Sequence, residues 1–153
     1  MIAPCPEDRA RGSAIQDSTP LLTIVIPAYN EELRLPVTLP QVIAFAGAQS
    51  FPVEILVVNN ASTDRTAEVV QEIAGDHPSV SLLYQPIQGK GAAVRMGMQG
   101  GRGEYLFICD ADLAMPIEQL SRFLPPTLGG YGVAIASREV PGAKRYDEPW
   151  YRH

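Results

Sequence analysis

Cysteine and clustered basic residues are scarce in this sequence, and each scarcity excludes a class of protein. Its two cysteines, Cys5 and Cys109, lie in a polar and an apolar context. They therefore do not suggest a disulfide framework, and a reducing compartment is favoured. The net charge is −5 and the longest basic cluster is Lys144-Arg145. Because nucleic-acid-binding proteins usually carry a basic patch, we expect no nucleic-acid partner.

Long apolar runs are also missing. No window approaches the roughly 18 consecutive apolar residues of a membrane helix, and the N-terminus has no basic region followed by an apolar stretch. We expect a chain without a transmembrane segment or secretion signal, hence a cytoplasmic protein, peripheral to the cytoplasmic face of a membrane where it meets one. The 153 residues, of which 46% are hydrophobic and 19% charged, fit one globular domain.

The chain divides into a leader and a domain. Residues 1–20 are polar with mixed charge, which predicts a disordered leader, and residues 21–153 form the domain. Helix-like segments cover 38–49, which Thr38 and Gln41 would open as a capping box, and also 63–74, 91–99 and 117–124. Five apolar, β-branched or aromatic runs predict strands: LLTIVIP, VEILVVN, SVSLLY, EYLFIC and GVAIAS.

This alternation of strands and helices predicts an α/β fold of the Rossmann-like type, with a mainly parallel sheet and helices on both faces. Ligands bind such sheets beyond the carboxyl ends of the strands. We therefore expect the functional residues in the segments that follow the five strands, which are PAYNEE, NNASTDRT, QPIQGKGAAVR, DADLAMP and SREVPGAKR.

Asp110 and Asp112 follow a buried apolar run, where carboxylates without partners are unfavourable. If the extended geometry persists, residues at i and i+2 leave the same side of the chain and can converge on one object. Mg²⁺ is commonly held by one or two carboxylates together with substrate phosphates. The alternative is that the two aspartates end the strand and cap the next turn.

Two other segments fit either a ligand or a local structural role. Lys90 stands between two glycines at a helix start, which suits a phosphate, although a tight turn explains the glycines equally well. Ser62–Asp64 could satisfy the free amides of the next helix, and residues 30–32 fit a loop and a helix start. Asn59 and Asn60 offer both donors and acceptors, with which the edge of a nucleobase could be read.

The ordered set PAYNEE, VVNNASTDRT, GKGAAVRMG, CDADLAMP and ASRE resembles glycosyltransferase family 2, whose members have the GT-A nucleotide-sugar fold. The resemblance covers residues 23–153. Within the family, GKGAAVRMG followed by GAKRYDEPWYRH is most similar to the dolichyl-phosphate glucosyltransferases and the dolichol-phosphate mannose synthases.

The resemblance implies an enzyme that transfers a sugar, with inversion, from UDP-glucose or GDP-mannose to a polyprenyl (dolichyl) phosphate at a membrane surface. It also implies roles for individual positions. Pro27, Tyr29 and Glu31 would line the donor pocket, Asn59 or Asn60 would read the base, Lys90 would assist at the diphosphate, Asp110 and Asp112 would be the DxD pair that holds Mg²⁺ or Mn²⁺, and Arg138 and Arg152 would grip the acceptor phosphate.

Two features depart from the family pattern. Asn59-Asn60-Ala61-Ser62 stands where relatives usually have Asp-Asp-Gly-Ser or Asp-Asn-Gly-Ser, so a carboxylate expected at the base pocket is missing. The sequence ends at His153 inside a motif that in relatives leads into the acceptor half, so we expect a truncated donor-binding half.

Three alternative functions stay open. They are a non-catalytic nucleotide-sugar-binding fragment, transfer to a saccharide hydroxyl, and a nucleotidyltransferase, which shares the sheet and a metal. A nicotinamide oxidoreductase is disfavoured, because the glycine fingerprint is missing after the first strand.

Overall fold

A computed structural model describes residues 19–127 and 129–137, which divide into two compact units, one ending at Met115 and the other beginning at Pro116. The predicted leader lies, up to residue 18, outside the described residues. No helix of the described part is both long and apolar enough to cross a membrane. In the first unit strands and helices alternate in the order β1 (Leu22–Ala28), α1 (Leu35–Gly47), β2 (Val53–Asn60), α2 (Thr66–Asp76), β3 (Val80–Gln85), α3 (Lys90–Gly100) and β4 (Tyr105–Ile108).

The four strands form one parallel sheet in the order β3-β2-β1-β4. Strand β1 pairs with β2 as far as Ala28 and Asn59, and with β4 as far as Val25 and Ile108. All the carboxyl ends therefore lie at one edge of the sheet. The predicted α/β fold with a parallel sheet is confirmed, and the predicted strand boundaries agree with these four strands to within one residue.

Helices cover both faces of the sheet. Helix α3 packs on the face that carries Val25 and Val58, so closely that a Cβ on Gly97 would lie 2.2 Å from Val25 Cγ1. Neighbouring residues of a strand point to opposite faces, and on the other face the Tyr84 hydroxyl accepts a hydrogen bond from Gln71 of α2. The fully buried side chains include Leu22, Ile24, Leu35, Leu39, Val42, Ile55, Val57 and Val70.

The first helix does not begin at the predicted capping box. It begins at Leu35, so Thr38 lies inside it and donates its hydroxyl hydrogen to the Arg34 carbonyl at 3.2 Å. Gln41 likewise donates to the Val37 carbonyl at 3.0 Å. Pro36 occupies the first turn, where its missing N–H breaks no helical hydrogen bond. This proline marks the helix start better than the capping-box pattern does.

The second unit contains a 3₁₀ helix, Ile117–Phe123, in place of the predicted helix 117–124. The prediction of a fifth strand at 132–137 is wrong. The structure describes these residues, and none of them belongs to a strand. Val133 and Ile135 are 79% and 82% exposed. An apolar run becomes a strand only where a neighbouring strand satisfies its backbone groups, and no described residue pairs with this segment.

A buried carboxylate links the amino-terminal edge of the sheet to the turn before β4. Glu54 accepts hydrogen bonds from the Thr23 hydroxyl at 2.7 Å, from Arg102 N at 2.9 Å and from Arg102 Nε at 2.8 Å. Burial by itself would raise the pKa of Glu54, but these hydrogen bonds and the nearby guanidinium outweigh it and hold that pKa below its ordinary value of 4.5. The folded state therefore favours the ionised carboxylate.

Three turns at the carboxyl edge hold a residue other than glycine at positive φ, and the third of these turns follows β4. Asn30 after β1 and Ala61 after β2 both have φ of 54°. Asparagine tolerates this conformation, whereas the Cβ of alanine crowds the backbone there. Ala61 therefore stores strain in the turn.

We expect Ala61→Gly to raise the free energy of unfolding, by up to about 1 kcal/mol, because glycine removes the Cβ clash and only part of that gain is lost to unfolded-chain entropy. Urea unfolding measures the change. The matched control is Ala74→Gly inside α2, which should lower stability by about 1 kcal/mol. A loss of stability in Ala61→Gly as well would contradict the strain.

We expect Glu54→Gln to lower the free energy of unfolding at pH 7 by about 1–3 kcal/mol, because an amide NH₂ would face donors where the carboxylate now accepts. The stabilisation from a lowered pKa is present above 4.5 and is lost as the pH falls through the folded-state pKa. The difference between wild type and variant should therefore shrink below pH 4.5. Unfolding curves at several pH values measure it, and a pH-independent difference would contradict the role of the charge.

Candidate functional site

A cleft of about 210 Å³ opens at the carboxyl edge of the sheet. Its walls come from the end of β1 and the loop behind it, the end of β2, the start of α3 and the turn after β4. The lining residues are Pro27, Ala28, Tyr29, Glu31, Arg34, Asn60, Lys90, Asp110, Ala111 and Asp112. Seven of the residues predicted for the site thus share one cleft, although they come from four separate segments of the chain.

Asp110 and Asp112 reach the cleft through a turn. Strand β4 ends at Ile108, and Leu113 N donates to the Asp110 carbonyl at 3.0 Å, which closes a turn with Leu113 at φ of 50°. The expected extended geometry therefore does not persist, yet both residues line the same cleft. Asp112 Oδ1 also accepts a hydrogen bond from Ala114 N at 2.9 Å, so Asp112 caps the turn as well.

Lys90 is the first residue of α3, and its ammonium lies 2.7 Å from Asp110 Oδ1. Both side chains are well exposed, Lys90 by 67% and Asp110 by 50%. The preceding Gly89 has φ of 147°, a conformation that glycine adopts far more readily than other residues. The turn explanation for this glycine is thus correct, and the turn also delivers Lys90 into the cleft.

Asn59 and Asn60 point to opposite faces of the sheet because they are neighbours in β2. Asn60 lines the cleft and accepts a hydrogen bond from Gly89 N at 3.2 Å, which fixes the start of α3. Asn59 lies outside the lining and accepts from Ser62 N at 3.1 Å, which shapes the turn after β2. Asn60 is therefore the one of these two asparagines that lines the cleft.

The loop after β1 is fastened to the loop after β2 by side chains. Three consecutive backbone N–H groups, at residues 30–32, donate to Ser62 Oγ at 3.1 Å, Thr66 Oγ1 at 2.8 Å and Asp64 Oδ2 at 3.1 Å. In the reverse direction, Thr63 N donates to Asn30 Oδ1 at 2.8 Å and Arg65 N donates to Glu32 Oε2 at 2.9 Å. This two-way set of bonds fixes the backbone that carries Tyr29 and Glu31.

Asp64 holds the centre of this set. It accepts from Glu32 N, from Thr66 N at 3.0 Å and from the Thr66 hydroxyl. Burial would raise the pKa of Asp64, but these hydrogen bonds outweigh it and keep that pKa below its ordinary value. The predicted role of Ser62–Asp64 at the start of the next helix is met by Asp64 alone, which accepts from Thr66, the first residue of α2. Glu32 from the neighbouring loop accepts a hydrogen bond from Arg65 N, just before the start of α2.

The charges of the cleft are arranged as pairs. Arg34, which sequence reasoning missed, forms an ion pair with Glu31, and Lys90 forms one with Asp110. Asp112 has no ion-pair partner among the described residues. The i, i+3 spacing of Glu31 and Arg34 is the signal that could have revealed the first pair.

The donor set fits a hard divalent cation. Within the described part of the chain, no group of three or more His, Cys, Asp or Glu side chains is arranged so that it could hold a metal ion. Cys109 is buried and does not line the cleft, and burial, together with the charges of Asp110 and Asp112, raises the pKa of its thiol to about 11. Two exposed carboxylates remain, which suits Mg²⁺ or Mn²⁺ completed by waters and phosphates.

Arg138 and Arg152, predicted to bind the acceptor phosphate, lie outside the described residues.

Several known sugar transferases are similar to this chain in sequence or in structure. A dolichyl-phosphate beta-glucosyltransferase of Drosophila melanogaster is 36% identical over 140 residues, which cover 82% of this chain and 43% of that protein. One from Trichomonas vaginalis is 43% identical over 103 residues, covering 63% of this chain and 32% of that protein. An undecaprenyl-phosphate 4-deoxy-4-formamido-L-arabinose transferase of Pseudomonas aeruginosa is 34% identical, covering 86% and 38%.

Among solved structures, a mannosyltransferase of Pyrobaculum calidifontis in complex with GDP-Man and Mn²⁺ matches with a TM-score of 0.58 and 28% identity, over 74% of this chain and 35% of that one. The chain thus spans about a third to two fifths of the length of these relatives. The family model for glycosyl transferase family 2 matches residues 23–153. This match covers most of the sequence, and the chain therefore belongs to glycosyl transferase family 2.

Proposed function

We propose that this chain is the donor-binding part of an inverting glycosyltransferase that moves a sugar from a nucleotide diphosphate sugar to a polyprenyl phosphate. The observation that carries the proposal is the convergence of Asp110, Asp112 and Lys90 on one cleft at the carboxyl edge of the sheet. Relatives named for dolichyl phosphate and undecaprenyl phosphate support the acceptor class. UDP-glucose and GDP-mannose are the two donors to test.

The cleft offers a place for each part of the donor. Tyr29 is 43% exposed at its wall and provides a ring on which a base can stack. The side-chain NH₂ of Asn60 is a donor for the edge of that base, while its carbonyl holds Gly89. The diphosphate would then lie near Lys90 and the first turn of α3, whose backbone amides favour an anion.

Asp110 and Asp112 would hold Mg²⁺ or Mn²⁺, which when bound neutralises charge on the departing diphosphate. Lys90 adds a second positive charge on the same side of the cleft, and such fixed charge stabilises a leaving group as it develops. The hydrogen bonds between the loops after β1 and β2, which centre on Asp64, keep Tyr29 and Glu31 in place. These residues together favour breaking the bond between the sugar and the diphosphate.

A polyprenyl phosphate suits this machinery chemically. Its phosphate has a second pKa of about 6, so at neutral pH it is already an anionic nucleophile and needs no strong general base. A sugar hydroxyl would need one. Arg138 and Arg152 are proposed to bind this phosphate with bidentate donors. Because the polyprenyl chain is apolar, the reaction is proposed to take place at a membrane surface, on its cytoplasmic side.

We expect the purified chain to bind one of UDP-glucose and GDP-mannose in the presence of Mn²⁺ and to bind it weakly without the metal. Asp110→Asn and Asp112→Asn should each weaken metal-dependent binding by about tenfold or more, since even outer-shell partners of a metal have effects of that size. Isothermal titration calorimetry with and without Mn²⁺ measures this.

The matched control for both variants is Asp76→Asn, at the exposed end of α2, which should bind as wild type does. Equal melting temperatures for the four proteins exclude unfolding as the cause. Undiminished Mn²⁺-dependent binding in both cleft variants would refute the metal role of the aspartates.

We expect Arg138→Ala to weaken retention of the chain on vesicles that contain a polyprenyl phosphate, by roughly tenfold, because it removes charge-assisted hydrogen bonds to the phosphate. Vesicle sedimentation measures retention, with the same vesicles lacking the polyprenyl phosphate as the blank. Arg95→Ala, on the exposed side of α3, is the control for loss of one positive charge. Retention that is the same in both variants would favour a saccharide acceptor instead.

A further inference from the structure

The ion pair between Lys90 and Asp110 joins two groups that the proposed function assigns to different ligands. Asp110 is assigned to a divalent cation and Lys90 to the diphosphate, yet the Lys90 ammonium lies 2.7 Å from Asp110 Oδ1. The two side chains come from different elements, the start of α3 and the turn after β4. Their contact is therefore a feature of the folded cleft rather than of local sequence.

Simultaneous close contact of Lys90 and a divalent cation with Asp110 is energetically unfavourable. A carboxylate oxygen binds Mg²⁺ at about 2.0–2.1 Å, so an ammonium at hydrogen-bond distance from the same carboxylate would lie within a few ångströms of the metal. Two positive charges at that separation repel strongly. The ammonium and the cation thus compete for Asp110.

Lys90 has room to leave. Its side chain is 67% exposed, and the pair with Asp110 is its only ion pair within the described part of the chain. An ion pair between exposed side chains changes an equilibrium by at most about fivefold. A long, flexible side chain held this weakly can turn to another anion in the same cleft.

We propose that Lys90 exchanges partners: the cation takes Asp110, and the released ammonium binds the diphosphate of the donor. This inference rests on the proposed function and adds to it that cation and donor bind cooperatively through one lysine. Binding of the cation frees Lys90 for the diphosphate, and binding of the diphosphate removes Lys90 from Asp110, so each ligand raises the affinity for the other.

The charges in the cleft support this exchange of partners. With Glu31 paired to Arg34 and Asp110 paired to Lys90, the uncompensated charge is that of Asp112, which repels a diphosphate. A divalent cation on the aspartates reverses the sign of the cleft and leaves Lys90 as an additional cationic donor. The cleft then attracts the anion that it repelled.

The test replaces Lys90 by methionine, an unbranched side chain that keeps most of the length of lysine and removes its charge. Mn²⁺ alone should bind Lys90→Met more tightly than wild type, by about two- to fivefold, because Asp110 no longer has a competing partner. With Mn²⁺ saturating, UDP or GDP should bind about tenfold more weakly, because the diphosphate has lost a charged donor. Calorimetry with Mn²⁺, and then with each nucleoside diphosphate, measures the two opposite changes.

Arg95→Met is the control, since it removes one positive charge from an exposed position of the same helix outside the cleft. Both of its affinities should match those of wild type. Lys90→Gln serves as a second neutral variant and should behave as Lys90→Met does. A general loss of structure would weaken the binding of both Mn²⁺ and the nucleoside diphosphate, so tighter binding of Mn²⁺ is the diagnostic result.

The outcomes separate this inference from the proposed function. If wild type binds Mn²⁺ and Lys90→Met binds it with the same or lower affinity, the exchange is overturned, whereas the proposed metal site is not. An equal gain in Arg95→Met overturns it too, because the effect would then be one of overall charge. No binding of Mn²⁺ by wild type would overturn the proposed function, and the exchange with it.

Discussion

Strand β1 pairs in parallel with β2 on one side and with β4 on the other, and this pairing places every group of the cleft. Parallel strands end at the same edge, so the turns after them meet there although they are far apart in sequence. The edge between β1 and β4 is also where the chain reverses its direction of strand addition, since β2 and β3 lie on the other side of β1. Ligand clefts of open α/β sheets form at such points.

Packing behind this edge determines how closely its parts can approach. Gly97 lets α3 lie directly on Val25 and Val58, so the first turn of α3 and its Lys90 come close to the end of β2. Hydrogen bonds then complete the positioning, because Asn60 holds Gly89 and Asp64 holds the loop after β1. Rigid elements carry Lys90, whereas the turn of Asp110 is positioned by its own hydrogen bonds.

Local patterns were sufficient to predict the four strands, the three long helices and the shared edge, because apolar runs and their polar ends are visible in the sequence. They could not show that 132–137 has no partner strand among the residues that the structure describes, since pairing is not a property of the segment itself. Bonds between distant residues were equally hidden. Glu54 and Arg102 are 48 positions apart, and Glu32 and Asp64 are 32 apart, so no window of the sequence contains either pair. Lys90 and Asp110 were each predicted for the site, but not their contact.

The asparagines at the end of β2 acquire a physical meaning from these contacts. The family pattern that the sequence resembles has an aspartate in this segment, whereas here Asn59 and Asn60 accept backbone hydrogen bonds from Ser62 and Gly89. An amide oxygen accepts such bonds as a carboxylate oxygen does, and it adds no charge. The cleft already contains three carboxylates and two cationic side chains. A fourth carboxylate beside Lys90 would compete with Asp110 for the ammonium, whereas an amide leaves the single pairing of Lys90 and Asp110 intact. The absence of a carboxylate at this position is therefore compatible with a well-formed cleft.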